Sequence, residues 1–94
     1  MSQGLLTEEQ KMAGGIIEID VHGMRTGEAY EAVRLRVASA GQEVYRVRVI
    51  HGHNGGTRIR SMLYEEFGYG REPKVKRIEM GNNPGITELI LREL

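Results

Sequence analysis

The sequence predicts an α/β (α+β) two-layer sandwich: a mixed four-stranded sheet with two helices on one face, in the order β-α-β-α-β-β. Two segments alternate apolar and polar residues with a period of two, and each is followed by apolar residues at helical spacing, the pattern of strands joined through a helix. Both of these strands have one apolar and one polar face, so only one side of the sheet needs to be covered. Two more strands then follow, joined by a turn-forming run.

Residues 1–15 read as a flexible N-terminal arm, in which Thr7 and Gln10 could cap one helical turn before Gly14-Gly15 interrupts it. The folded domain spans 16–94. From Ile16 the chain alternates: Ile17, Ile19 and Val21 point one way, and Glu18, Asp20 and His22 the other. Gly23-Met24-Arg25 turns the chain, and Thr26 is placed to cap a helix with Glu28 near its positive end. Ala29, Ala32, Val33, Val37 and Ala40 form the helical stripe, which Gly41 ends. Tyr45, Val47 and Val49 alternate with Arg46, Arg48 and Ile50 in the second strand, which puts Glu18 across from Arg46 or Arg48 on the open face. After Gly52-His53-Asn54-Gly55-Gly56, Thr57 can cap a second helix with the stripe Ile59, Met62, Leu63 and Phe67, broken by Gly68 and Gly70. The last strands cover roughly 74–80 and 86–92, with Pro84-Gly85 suited to the centre of a type II turn.

Ninety-four residues make one domain with a modest core. The absence of cysteine excludes a disulfide framework and thiolate chemistry, and fits the reducing cytoplasm, the expected location. No apolar run is long enough to span a bilayer and the first residues lack a signal-peptide pattern, so no membrane partner is expected. The formal net charge of zero argues against a protein that holds nucleic acid by bulk electrostatics; any such contact must use a local patch.

The histidines occupy two places. His22 ends the first strand, and His51 and His53 follow the second. Strands joined by one helix run parallel through a right-handed crossover and end at the same sheet edge, where open α/β sheets bind ligands. Asp20 and His22 share a strand face, so the carboxylate can orient the imidazole and stabilise its protonated form. The alternative is a strand-end polar pair that faces water. Gly52, Gly55, Gly56 and Thr57 lead into a helix N-terminus, whose amides can receive a phosphate, with Arg58 and Arg60 as charge-assisted donors. A tight strand-to-helix turn needs glycine as well. His53 reads as a solvated loop residue. Arg34, Arg36, Arg46, Arg48, Arg71, Lys74, Lys76 and Arg77 could extend a basic track, although thirteen acidic residues make ordinary solvated faces the expected account of most of them.

Ile-Asp-Val-His-Gly at 19–23, His-Gly-His-Asn-Gly-Gly-Thr-Arg-Ile-Arg at 51–60 and Gly-Asn-Asn-Pro-Gly-Ile-Thr-Glu-Leu at 81–89 resemble the three signatures of the Smr (small MutS-related) domain. The resemblance covers about residues 16–94. Ile19 replaces the leucine of the first signature, Ile59-Arg60 matches the Leu-Arg that follows the second, and Gly85-Ile86-Thr87 matches the last. Asn54 stands where many members have glycine. The resemblance implies a domain that binds DNA or RNA and acts, in several members, as an endonuclease on branched DNA or on messenger RNA in ribosome quality control. Ribosomal or DNA-repair proteins are then candidate associates. No phosphate-binding Gly-x-x-x-x-Gly-Lys-Ser/Thr loop is present, so the chain reads as a stand-alone form.

Three functions remain open. In an endonuclease or nickase, Asp20, His22 and His51 are the catalytic candidates, and Gly52, Gly55, Gly56, Thr57, Arg58 and Arg60 hold phosphate. RNA could supply its own 2′-hydroxyl as nucleophile. DNA needs water, and a divalent ion (Mg or Mn) held partly by Asp20 becomes the expected cofactor. The second function is a non-catalytic module binding nucleic acid or ribonucleoprotein. The third is a metal-dependent phosphoesterase using Asp20, His22, His51 and His53 as ligands.

Overall fold

A computed structural model of the chain describes residues 9–53 and 57–93. Strand β1 (Glu9–Ala13) precedes β2 (Ile16–Asp20), α1 (Thr26–Ser39), β3 (Arg46–Ile50), α2 (Arg58–Phe67), β4 (Arg77–Met80) and β5 (Ile86–Ile90). From β2 onward this is the expected β-α-β-α-β-β order. β2 and β3 are parallel, β5 is antiparallel to β3, and β4 is antiparallel to β5. The strand order is β1-β2-β3-β5-β4.

The fifth strand corrects the expected arm. Glu9–Ala13 pairs antiparallel with β2, Ala13 opposite Ile16. Gly14 and Gly15 both have positive φ (60° and 86°), the conformation of a two-residue hairpin turn whose twist matches that of the strands. The glycine pair is therefore a turn that returns the chain onto β2. Residues 1–8, with the expected cap at Thr7, lie outside the described residues.

Both helices lie on one face of the sheet. Ile17, Ile19, Val21, Val47, Val49 and Leu89 from the strands meet Ala29, Val33 and Val37 of α1 and Met62, Leu63 and Phe67 of α2 in a single core. The rings of Tyr30 and Phe67, 5.6 Å apart, tie the helices together. The apolar face read from period-two alternation is the buried one, because a strand presents alternate residues to opposite sides. The opposite face carries charge. Glu18 lies in register with Arg48 and then Glu88, whose side chain is 7% exposed and accepts from Arg48 Nε at 2.8 Å and from Arg46. Arg46 also reaches Glu79, and Arg77 pairs with Glu79 and Glu93.

Three local expectations shift. The N-cap of α1 is Arg25, one residue before Thr26, with its N–H donated to Glu28 Oε1 (3.2 Å). β4 begins at Arg77 and not near Lys74, whose ammonium instead caps the end of α1 by donating to the carbonyls of Ala38 (3.2 Å) and Ala40 (3.0 Å). The turn around Pro84-Gly85 closes through Ile86 N–H to Asn83 O (3.1 Å), but Gly85 does not have positive φ, so the turn is not type II. Gly85 N–H is held by Asn83 Oδ1 at 2.8 Å.

Candidate functional site

The first histidine sits in a turn that follows β2. Met24 N–H donates to Val21 O (3.1 Å), with His22-Gly23 at the centre and Gly23 at φ 80°. His22 N–H and ring Nδ1 both approach Asp20 Oδ1, at 3.1 and 2.6 Å. A carboxylate only accepts, so the proton is on Nδ1 and, in the neutral ring, the lone pair is on Nε2. The imidazole is 71% exposed.

His51 is built differently. It continues β3 to the same sheet edge, where Val21 N–H donates to Ile50 O (2.8 Å). Its side chain is buried and both ring nitrogens are engaged. Nδ1–H donates to Gly52 O (2.7 Å), and Nε2 accepts from the Thr87 hydroxyl (2.8 Å) of β5, itself fully buried. Burial pushes the His51 pKa below the ordinary histidine value, assisted by the positive charges of Arg60 and His53 and opposed by the Gly52 carbonyl.

The third signature-like segment, Gly81–Leu89, fastens the backbone of His51 and Gly52. Gly85 O accepts from both His51 N–H (2.9 Å) and Gly52 N–H (3.0 Å). A Cβ on Gly85 would stand 3.0 Å from His53 Cδ2 and 3.2 Å from Gly52 Cα, so a side chain there would push the loop away. The sequence gives glycine at 85 for this close approach, not for a left-handed backbone.

His22, His51, Gly52, His53 and Arg58 line one cleft of about 710 Å³, together with Gly23, Met24, Arg25, Thr26, Ile50 and Ile59. Asp20 joins it through His22. Arg60 lies elsewhere: two residues beyond Arg58 on a helix is more than half a turn, and it lines a neighbouring depression. Gly55 and Gly56 lie outside the described residues, with Asn54. Thr57 occupies the expected N-cap of α2, but its side chain makes no capping hydrogen bond and no acidic residue stands in the first turn. The start of α2 thus presents its positive end toward the cleft without a built-in anion.

Sequence reasoning missed Arg25. It was read only as part of a turn, yet it stands at the start of α1 facing the cleft. Among the described residues no acidic side chain forms an ion pair with the guanidinium of Arg25, Arg58 or Arg60, whereas Arg34, Arg46, Arg48 and Arg77 all have acidic partners. Four arginines of the expected basic track are thereby engaged with carboxylates. No three His, Cys, Asp or Glu side chains among the described residues form a group able to hold a metal ion, so the four-ligand phosphoesterase arrangement is not assembled. No helix among the described residues is long and apolar enough to cross a membrane.

The Smr domain family model matches residues 19–83, more than half of the chain and all of the cleft-lining residues. The chain belongs to the Smr domain family. Among solved structures, the crystal structure of the Smr domain of Thermus thermophilus MutS2 is similar with a TM-score of 0.70, over 81% of this chain and 98% of that one, at 23% identity. The two share a fold. No curated protein matches the chain. Smr domains form a family of nucleic-acid-binding and nuclease-type domains, and in this one the cleft at the strand ends is lined by Arg25, Arg58 and the start of α2.

Proposed function

We propose that this Smr domain binds nucleic acid at the strand-end cleft and acts there as an endonuclease, with RNA the substrate that suits its groups best. The observation that carries the reading is the Asp20–His22 pair at a cleft lined by Arg25 and Arg58. The arginines and the first amides of α2 would hold the scissile phosphate and offset the charge that builds on its oxygens in the transition state. His22, its tautomer fixed by Asp20, takes the proton of a 2′-hydroxyl through Nε2. The bond from O2′ to phosphorus forms as the bond from phosphorus to O5′ breaks, and His22 returns the proton to the departing O5′. The products are a 2′,3′-cyclic phosphate and a 5′-hydroxyl.

One Asp20 oxygen is committed to His22, and among the described residues no third His, Cys, Asp or Glu side chain groups with the pair, which favours the route in which the 2′-hydroxyl attacks without a metal. His51 was expected to transfer a proton, but its engaged nitrogens suit a different task, holding the loop that leads into α2.

The same observation favours one second reading, a nucleic-acid-binding module without chemistry, since both ring nitrogens of His51 are already engaged. Single-turnover assays with matched RNA and DNA oligonucleotides, with chelator or with added Mg or Mn, separate the two. The expected result is cleavage of RNA in chelator with cyclic-phosphate ends. Binding without cleavage of any substrate leaves the module, and strict metal dependence with water-derived ends would defeat the 2′-hydroxyl route.

A further inference from the structure

Beside the cleft, on the other flank of α2, Arg60, Ser61, Tyr64, Glu65, Tyr69 and Met80 surround a shallow depression of about 390 Å³. Its composition differs from that of the cleft. Tyr69 and Met80 are among the largest exposed apolar surfaces of the domain, 84% and 57% exposed. Tyr69 also has φ 56°, the left-handed region that a bulky residue rarely adopts, in a glycine-flanked turn that follows α2. Arg60 and Tyr64 are one helical turn apart and share a face, and Arg60 has no acidic partner among the described residues.

We propose that this depression is a subsite for one unpaired base of the nucleic acid whose phosphate occupies the cleft. The proposal rests on the nucleic-acid reading of the cleft and extends it to a second contact. A phosphate at the start of α2 would have Arg58 on one side and Arg60 on the other, because the two residues point to opposite flanks of the helix. Arg60 lines the depression and Arg58 the cleft, two residues apart at the start of the same helix, so one nucleic-acid strand can span both places. Beyond Arg60 the ligand meets aromatic rings and a thioether, which offer stacking surfaces to any base. Glu65 disfavours a phosphate at this spot and can accept a hydrogen bond from a base amino or imino group. A duplex keeps its bases stacked inward and does not present one here. The occupant is thus an extruded or single-stranded nucleotide.

The test uses fluorescence anisotropy with a single-stranded RNA made uncleavable by 2′-O-methylation, and the same strand carrying an abasic ribose at each position in turn. Tyr69 is exposed, and Tyr69→Ala retains a non-glycine residue at the same φ, so the fold should persist, as circular dichroism would verify. Loss of one base–aromatic stack corresponds to about tenfold weaker binding or more for Tyr69→Ala, with Tyr69→Phe staying within about twofold of wild type. One abasic position should weaken the wild type similarly and make Tyr69→Ala silent. If Tyr69→Ala matches wild type while Arg58→Ala binds more weakly, the base subsite is refuted and the cleft reading stands. Equal weakening on intact and abasic strands would also refute it, by showing contact without a base. Failure of the wild type to bind any oligonucleotide overturns both.

Discussion

Thr87→Val tests whether His51 is a structural clamp. Thr87 is fully buried in β5, and its hydroxyl donates to His51 Nε2 at 2.8 Å. Valine has nearly the same shape, so the change leaves no cavity and removes only the donor. Nε2 then loses its partner within a buried side chain, which costs about 1–3 kcal/mol. Domains of this size are stable by only about 5–15 kcal/mol, and each kilocalorie shifts Tm by roughly 4–8 °C, so a loss near 2 kcal/mol should lower Tm by about 8–16 °C. Thermal melting followed by circular dichroism at neutral pH measures the Tm shift, and urea denaturation the free-energy loss. A double-mutant cycle with His51→Phe isolates the pair, because with the imidazole gone Thr87→Val leaves no orphaned acceptor and should be nearly neutral. The two changes should couple by about 1–2 kcal/mol, a hydrogen bond's net worth together with its desolvation penalty. Additivity within about 0.5 kcal/mol would show that His51 is not held by Thr87, and would return His51 to the set of proton-transfer candidates.

The pH dependence of stability follows from the same residue. The His51 pKa is lowered in the folded state, so below the unfolded histidine value of about 6.5 the unfolded chain binds more protons; this contribution is complete above that pH and is lost as pH falls through the folded value. Urea midpoints should decline from pH 7.5 to 5, His51→Phe should flatten the decline, and an unchanged slope in that variant would count against the buried neutral ring. Asp20→Asn and His22→Ala should each slow single-turnover cleavage by something on the order of a hundredfold while largely sparing oligonucleotide affinity. Rescue of Asp20→Asn by excess divalent ion would instead assign Asp20 to a metal. Arg58→Ala should weaken binding and reduce the log–log salt slope by about one unit, from a wild-type slope that is itself shallow because the net charge is zero and four arginines are paired with carboxylates; a steep wild-type slope would mean a wider basic surface.

The parts of this domain legible in its sequence are those set by local periodicity and chain direction. Ile17, Ile19 and Val21 have to face one side, and two strands joined through α1 have to end together, which brings His22 and His51 to one edge. Even the pairing of Glu18 with Arg48 follows from register. The hairpin of β1 was available in principle, since two adjacent glycines suit a tight turn, but Glu9, Gln10 and Lys11 carry no apolar alternation to announce a strand.

What resisted local reading was the difference between two histidines that look alike in sequence, each followed by glycine. That difference is made by β5. Its antiparallel pairing with β3 carries Thr87 under one imidazole and the Gly85 carbonyl onto the loop backbone, across more than thirty residues of intervening chain. His22, one strand further from β5, gains Asp20 from its own strand and remains at the surface. Antiparallel docking of the last strand therefore separates the two environments: one histidine is desolvated and bonded to Thr87 and Gly52, while the other keeps a ring oriented by Asp20 in contact with solvent. A chain that lost β5 pairing would keep both histidines at the same sheet edge and lose the distinction between them.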